Sequence, residues 1–368
     1  MRATTAIRRA VIVAACCALC GALRAQTTVS AALSKAHSRP PIRARLLIRS
    51  AEKDTISSSD VTLIGRDADT LLAQDAQSGS ALLRIDRTRV SRCEFAFDYD
   101  RLAVANALQN NDWAAAVRIL SPVVRNALPY LDIAENNALD LAMDLGMYMV
   151  ASADRELRSP ANKEASRERA LKQYEAAYDV FRSAGKADWT PLGQVATLKG
   201  CLALIAQGKV NLAADAVDEL DPPAPGDATY GHYWLVKAEL LRHEGKTRET
   251  LESVVKSVIF ADKDVETFPA SLLLSAECYT RLGQYHRARD IYYETAVLFV
   301  GTDWAADALA GLAVIMDGKK TLEKEKTPLE NTFFNVADDM NKLSEELLLK
   351  SRAKPKAKTG EAEAKAES

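Results

Sequence analysis

The feature of this chain that most constrains its fold is an internal repeat in its second half. Four glycines recur at intervals of 37, 38 and 35 residues: Gly208, Gly245, Gly283 and Gly318. Seven residues before each glycine there is a small residue: Cys201, Ala238, Ala276 and Gly311. A repeat of this length is typical of units that each consist of two helices.

Simple geometry accounts for both parts of the pattern. A tight turn between two antiparallel helices needs a residue that tolerates positive φ, which glycine does without strain. Only a small side chain fits where the two helices cross closely. Because a single hairpin cannot bury its apolar face alone, hairpins stack on one another. The repeat therefore predicts a mainly α fold, an α-solenoid of helical hairpins over residues 98–317.

One unit, residues 272–300, carries the pattern most fully. Its small, aromatic and turn residues are Ala276, Tyr279, Gly283, Tyr285, Ala288 and Tyr292. At these spacings they resemble the tetratricopeptide repeat (TPR). Further copies begin at positions 197 and 234, and two divergent units cover residues 102–120 and 130–183. The resemblance implies a TPR-like solenoid, similar to the exported or periplasmic TPR proteins of bacteria.

Residues 44–97 follow a period of two instead. Apolar side chains alternate at Leu46 and Ile48 and again at Val61 and Leu63, and polar turns separate such runs. The pattern predicts a small β module of four or five short strands. It resembles an SH3-like or Sm-like barrel, a class in which some members bind peptides or RNA. Simple packing against the helices is the alternative role.

The N-terminus has the composition of an export signal. Arg8 and Arg9 precede a 14-residue stretch without charge, and Ala25 is a small residue at the predicted cleavage position. This predicts a signal peptide over residues 1–25, followed by a polar linker over residues 26–43. An uncleaved anchor is one alternative. A second is a lipoprotein acylated at Cys16, which would permit peripheral membrane association.

The C-terminus carries a second amphipathic pattern. Thr327, Pro328 and Glu330 form a helix start, with a capping threonine, a proline in the first turn and a glutamate three residues after the cap. An apolar stripe follows at Leu329, Phe333, Val336, Met340, Leu343 and Leu347. We expect a capping helix within residues 318–350, with a coiled-coil dimer as the alternative. The tail, residues 351–368, is predicted to be disordered.

The chain shows no motif of catalysis or cofactor binding. It contains no nucleophile elbow, zinc-protease motif, phosphate-binding loop or dinucleotide fingerprint. The cysteines of the mature chain, Cys93, Cys201 and Cys278, lack a zinc-binding spacing. Cys201 and Cys278 fall on apolar helix faces, which predicts that these two are buried. With 48 basic and 50 acidic residues, the net charge of −2 does not favour nucleic acid. We therefore expect no catalytic residue, cofactor or metal.

The TPR resemblance also implies a binding surface. In that family the first helix of each repeat lines the concave face of the solenoid. Carried over onto the two best copies, this gives His232, Leu235, Glu239, Arg242, His243, Ala270, Leu273, Glu277, Thr280 and Arg281. The implied ligand is a protein or peptide, held in register by charge-assisted hydrogen bonds. The alternative is that these charges only solvate an unused surface.

Signal and repeats together predict a non-enzymatic adaptor in the bacterial periplasm or cell envelope, serving envelope assembly or cell-wall coordination. Two other classes remain open. One is an enzyme acting on the cell wall or on polysaccharides, and the other is a carrier of a small apolar ligand or lipid. The partner, the pathway and the oligomeric state are left undetermined by the sequence.

Overall fold

The computed structural model describes residues 41–50, 55–76, 82–159, 162–261 and 264–324. This part of the chain is mainly helical, with a small antiparallel sheet at its N-terminal end. The prediction of a mainly α chain preceded by a small β module is thereby confirmed, whereas the solenoid arrangement remains a prediction. The predicted signal peptide, most of the predicted linker and capping helix, and the tail lie outside the described residues. Among the described helices, none has both the length and the apolar character that spanning a bilayer requires.

The chain divides into two compact units, one ending at Lys209 and the other beginning at Val210. Five strands form one sheet in the first unit: β1 (Ile42–Arg49), β2 (Ile56–Arg66), β3 (Thr70–Asp75), β4 (Leu82–Asp86) and β5 (Val90–Phe95). Their order across the sheet is β4-β3-β2-β1-β5, and each neighbouring pair is antiparallel.

The period of two in the sequence places alternate side chains on the two opposite faces of this sheet. In β1, Ile42, Ala44 and Leu46 are buried, whereas Arg43 and Arg45 between them are exposed. The first strand begins two residues before the predicted boundary at position 44. No pairing among the described residues joins β4 to β5, so a closed SH3-like or Sm-like barrel remains a prediction.

A set of long-range hydrogen bonds ties the sheet to the segment that precedes the third helix. Arg66, at the end of β2, donates to both carboxylate oxygens of Asp132, at 2.5 and 3.1 Å, and Arg87 donates to the same carboxylate. The side-chain amide of Asn137 pairs with the backbone of Phe95. It accepts from the amide at 2.8 Å and donates to the carbonyl at 3.0 Å. The sheet is thereby attached to the helices of its own unit.

Five helices complete the first unit: α1 (Arg101–Gln109), α2 (Trp113–Ala127), α3 (Ala138–Arg158), α4 (Lys163–Ala184) and α5 (Pro191–Ala206). Asp100 and Asp112 cap α1 and α2, since each carboxylate accepts a hydrogen bond from a backbone amide of the first turn. Helices α3 and α4 approach closely at a glycine: a Cβ atom on Gly146 would come within 2.5 Å of the buried ring of Phe181. The sequence correctly places the break between these two helices near residue 160.

The described part of the second unit has six helices: α6 (Val210–Asp218), α7 (Tyr230–His243), α8 (Thr247–Phe260), α9 (Thr267–Arg281), α10 (Tyr285–Leu298) and α11 (Asp303–Lys324). From α6 to α11, each helix packs on the next helix in the sequence. Gly245 and Gly283 form the α7–α8 and α9–α10 turns with φ of 75° and 71°. Ala238 and Ala276 are fully buried. The glycines thus lie in the turns and the alanines are buried between helices, as the repeat predicts.

The fourth predicted turn is wrong. Helix α11 continues through Gly318 to Lys324 without a break. Glycine permits a turn but does not enforce one, and the residues that follow Gly318 include good helix formers such as Lys319, Leu322 and Glu323. The predicted boundary at position 318 therefore falls inside a helix.

Candidate partner-binding cavity

A cavity of about 640 Å³ lies in the second unit. It is lined by Arg242, Leu273, Glu277, Thr280, Arg281, Tyr292, Asp307, Ala310, Gly311 and Val314. All of these except Tyr292 belong to α7, α9 and α11, which are alternate helices of this unit. We call it the C-terminal cavity. It brings together five of the residues that the TPR resemblance assigned to the groove, namely Arg242, Leu273, Glu277, Thr280 and Arg281.

Neighbouring groups fix two of the polar side chains in the cavity. The Arg242 guanidinium donates to Glu239, one turn earlier on α7, at 2.7 Å. The Thr280 hydroxyl donates to the Ala276 carbonyl at 2.9 Å, so its oxygen can still accept from a ligand. Arg281 is exposed and makes no hydrogen bond to another described residue. It is therefore the cation that is most available to a partner.

The charges of the cavity are mixed. Desolvation by the cavity walls raises the pKa of the Glu277 carboxyl above its usual value, although solvent reaches the side chain. The nearby guanidinium groups of Arg242 and Arg281 lower it, and the carboxylates of Glu239 and Asp307 raise it further. The cavity thus presents both signs of charge. This suits a peptide better than an entirely apolar ligand.

The remaining walls are aromatic and aliphatic. The ring of Tyr292 is buried against Gly311, and burial raises the pKa of its hydroxyl to about 12. Leu273 is half-buried, and Val314 is 65% exposed. An apolar side chain of a ligand could therefore cover Val314 and Leu273 while its polar groups meet Arg281 and Thr280.

The structure corrects the assignment of His232 and Leu235 to the groove, because both side chains lie in the interior. Leu235 belongs to the buried core. His232 lies with its Nδ1 atom 2.8 Å from the Thr267 hydroxyl and its Nε2 atom 3.2 Å from the Asp264 carboxylate. It therefore links α7 to the start of α9 and cannot contact a partner.

The other three predicted positions do not line the C-terminal cavity either. His243 is exposed at the end of α7, and Ala270 is half-buried in the first turn of α9. Glu239 does not line the cavity but pairs with Arg242 and adds its negative charge beside Glu277. Five of the ten carried-over positions therefore form the candidate site.

An acid, an imidazole and a hydroxyl, the groups of a nucleophilic triad, meet at Asp264, His232 and Thr267. Their surroundings argue for a structural role instead. Thr267 is only 3% exposed, so a substrate cannot reach its hydroxyl. The network continues inward, with Ser271 donating to the Thr267 carbonyl and contacting Ser257 at 2.8 Å. Within the described chain, no group of three or more His, Cys, Asp or Glu side chains is arranged to hold a metal ion.

Five lining residues were not assigned to the groove from the sequence: Tyr292, Asp307, Ala310, Gly311 and Val314. A signal for three of them was present. Asp307 and Val314 follow Leu273 and Thr280 by 34 residues, as does Gly311 after Glu277. The interval of 35 from Gly283 to Gly318 places these residues one position out of register. An interval of 34 would have extended the groove onto α11.

A second cavity, of about 570 Å³, lies on the sheet of the first unit. Its charged lining includes Arg45 and Asp60, which pair with each other at 2.8 Å with both side chains exposed. Such exposed pairs are typical of an ordinary solvated surface. The cavity of the second unit is the better candidate, because three alternate helices contribute to its lining and five of its residues are ones that the TPR resemblance assigned to the groove.

No family model matches the chain, and no curated protein is similar enough to it to indicate a family. The likeness to TPR proteins consequently depends on the repeat residues themselves and on the helical hairpins that carry them.

Proposed function

We propose that this chain is an exported, non-enzymatic adaptor that holds a peptide segment of a partner protein in the C-terminal cavity. The partner is a protein of the bacterial cell envelope, engaged in envelope assembly or cell-wall coordination. The helices of the second unit form a TPR-like solenoid, and the sheet of the first unit is a small SH3-like module. This activity requires no cofactor and no nucleic acid.

The observation that best supports the proposal is the composition of the cavity. Three alternate helices each contribute to it: α7 with Arg242, α9 with Thr280 and Arg281, and α11 with Val314. Each helix packs on the next, and α9 also packs on α7 and α11, which supports the proposal of stacked hairpins. Stacked hairpins place their first helices side by side, which gives an extended binding surface.

The same residues suggest the chemistry of the ligand. Arg281 offers planar, bidentate hydrogen bonding to a carboxylate, which favours an acidic side chain or chain end. Leu273 and Val314 lie beside it and favour an apolar side chain. We therefore expect a segment with an acidic and an apolar residue close together. A purely apolar ligand would leave the charged lining unpaired, which disfavours the carrier function.

Site-specific photo-crosslinking in cells that export the chain tests this function. A photoreactive residue at Leu273, in the cavity, should yield a discrete protein adduct. The matched control is Leu298 on α10, which is exposed and outside the cavity. Identical adducts from both positions, or none from Leu273, would contradict a cavity-bound partner.

Charge reversal then tests the role of the cation. Arg281→Glu should remove the Leu273 adduct without altering the melting temperature. Arg248→Glu, on the exposed side of α8, should leave the adduct intact. The double reversal of Arg242 and Arg281 should also abolish capture, but it is the less clean variant because it places a new carboxylate beside Glu239. An adduct that survives Arg281→Glu would remove Arg281 from the site.

Two further measurements address export and catalysis. Intact mass should show a mature chain that begins at Gln26, whereas an acylated chain that begins at Cys16 would establish the lipoprotein alternative. Purified protein should show no turnover of peptidoglycan. Turnover that is lost in the variant carrying Glu239→Gln and Glu277→Gln would establish the enzyme alternative instead.

A further inference from the structure

The first unit contains a cavity of about 240 Å³ where the turn between α1 and α2 meets the end of α3. Its walls come from residues 110–114, which form that turn and the start of α2, and from Ser152, Arg155 and Glu156 on α3. The three α3 residues follow one another at i, i+3 and i+4, so they share one face of that helix. We call this the α3 cavity. The proposed adaptor function uses none of its residues.

The hydroxyl of Ser152 distinguishes the α3 cavity from an ordinary solvated surface. Ser152 is only 5% exposed, yet its hydroxyl has no hydrogen-bond partner among the described residues. A polar group that is buried without a partner costs free energy, and most buried polar groups are paired. Because Ser152 lines the cavity, a ligand that enters it can supply the missing partner.

Two contacts fix the shape of the α3 cavity before any ligand enters. Arg155 donates to the backbone carbonyl of Asn111, a residue whose φ of 54° lies in the left-handed region. The ring of Trp113, at the start of α2, stacks on Tyr148 of α3, with the ring centroids 5.8 Å apart. The turn and α2 are thus each attached to α3, and the cavity is preformed.

The charged groups of the α3 cavity keep capacity for further hydrogen bonds. Asp112 accepts from the Ala115 amide through Oδ1, and Glu156 accepts from Arg169 through Oε2. The second oxygen of each carboxylate remains able to accept. Arg155 donates to the turn through Nη1, so its other N–H groups remain able to donate. The cavity therefore offers donors and acceptors side by side.

This mixture of charges favours a neutral ligand. An anion would face the carboxylates of Asp112 and Glu156, and a cation would face the guanidinium of Arg155. A peptide supplies one backbone donor and one acceptor for each residue. A sugar ring carries several hydroxyls, each of which both donates and accepts. Its C–H faces are apolar and suit the aromatic wall formed by Trp113.

We propose that the α3 cavity binds one sugar ring of a saccharide, with the Ser152 hydroxyl bonded to a hydroxyl of the ring. The free N–H groups of Arg155 and the free oxygen of Glu156 bond neighbouring hydroxyls. A ring that enters replaces about eight water molecules, at roughly 30 Å³ each. This binding is independent of the adaptor function, because it takes place in the first unit and the C-terminal cavity lies in the second.

Nuclear magnetic resonance on the full-length, ¹⁵N-labelled chain tests the site through the indole N–H signals of its four tryptophans. The probes are chitotriose and maltotriose, and the comparison ligands are acetate, phosphate and trialanine. At millimolar concentration a saccharide should shift the Trp113 signal, identified from its loss in Trp113→Phe, in a saturable way. The signal of Trp234, in the second unit, should not move.

Ser152→Ala removes the hydroxyl and leaves no unpaired polar group, so the fold should tolerate it. It should weaken the saccharide affinity at least about fivefold without lowering the melting temperature. The matched control is Ser183→Ala, because Ser183 lies on α4 outside the cavity and donates to the Asp179 carbonyl at 2.9 Å. It should leave the affinity unchanged.

Several results would overturn the proposal. One is the absence of a saturable shift with both saccharides, and another is an unchanged affinity in Ser152→Ala. A shift with acetate or phosphate but with neither saccharide would identify an anion site instead. A shift with trialanine alone would identify a peptide site.

Discussion

The ring of Tyr292 on α10 lies against the backbone of Gly311 on α11, so closely that a Cβ atom at position 311 would come within 2.5 Å of the ring. Tyr292 is buried and also lines the C-terminal cavity. The absence of a side chain at position 311 therefore sets both the distance between the two helices and one wall of the cavity.

Replacing Gly311 by alanine tests this contact. The added methyl group must displace a buried ring, which we expect to cost about 1–3 kcal/mol in the free energy of unfolding. The reference is the variant in which Tyr292→Leu is already present. There, Gly311→Ala should cost less or even stabilise, because alanine is the better helix former by about 1 kcal/mol. Equal effects in both backgrounds, measured by denaturant unfolding, would contradict the contact.

Asp132 is predicted to be a main attachment of the sheet to its helices. Asp132→Asn leaves Arg66 and Arg87 without their common anion, and we expect a loss of about 1–3 kcal/mol in unfolding free energy. The control is Asp60→Asn, which breaks the exposed pair with Arg45 and should leave the stability nearly unchanged, because exposed ion pairs contribute little. Comparable losses at the two positions would argue against a structural role for Asp132.

The contribution of Asp132 should also depend on pH. Burial is the largest single influence and raises its pKa, but the hydrogen bonds and charges of Arg66 and Arg87 together outweigh it and lower the pKa. The folded chain thus binds this proton less readily than the unfolded chain. Its stabilisation is present above the unfolded value of about 3.9 and is lost as the pH falls through the folded value. The difference between the unaltered chain and Asp132→Asn should therefore shrink below about pH 4.

His232 and His243 were assigned the same role by the sequence but should respond differently to substitution. His232→Leu leaves the buried Thr267 hydroxyl without its imidazole partner, at an expected cost of about 1–3 kcal/mol. His243 is exposed, so His243→Leu should stay within about 0.5 kcal/mol of the unaltered chain. Thermal unfolding of the two variants decides between an internal and a surface position for His232.

The parts of the fold that the sequence predicted are those set by local rules. Gly245 and Gly283 could be placed in turns because few other residues adopt their φ, and Ala276 at a crossing because a larger side chain does not fit there. The strands could be separated from the helices because a period of two differs from a period of 3.6. Each of these signals lies within a short stretch of the sequence.

What the sequence could not supply depends on contacts between distant segments. Arg66 and Asp132 are 66 residues apart, and the sequence around each residue contains no pattern that predicts the pair. His232 occupies a groove position by its number in the repeat, yet the loop that brings Asp264 to it turns it inward. Predicting that Asp307 and Val314 line the cavity requires the correct repeat interval. The wrong turn at Gly318 gave an interval that is one residue too long.

The idea that small residues set the helix crossings can be tested directly at Ala276, which is fully buried in the cluster that includes Ala288 and Tyr292. Ala276→Leu forces a branched side chain between α9 and α10 and should lower the unfolding free energy by about 1–3 kcal/mol. Ala105→Leu is the matched control, since Ala105 is exposed on α1 and should tolerate leucine within about 0.5 kcal/mol. If both variants have the melting temperature of the unaltered protein, Ala276 does not lie at a tight helix crossing. The spacing of small residues would then have no physical explanation. A selective loss at position 276 would instead link the repeat in the sequence to the packing of α9 on α10, from which the cavity residues of α9 project.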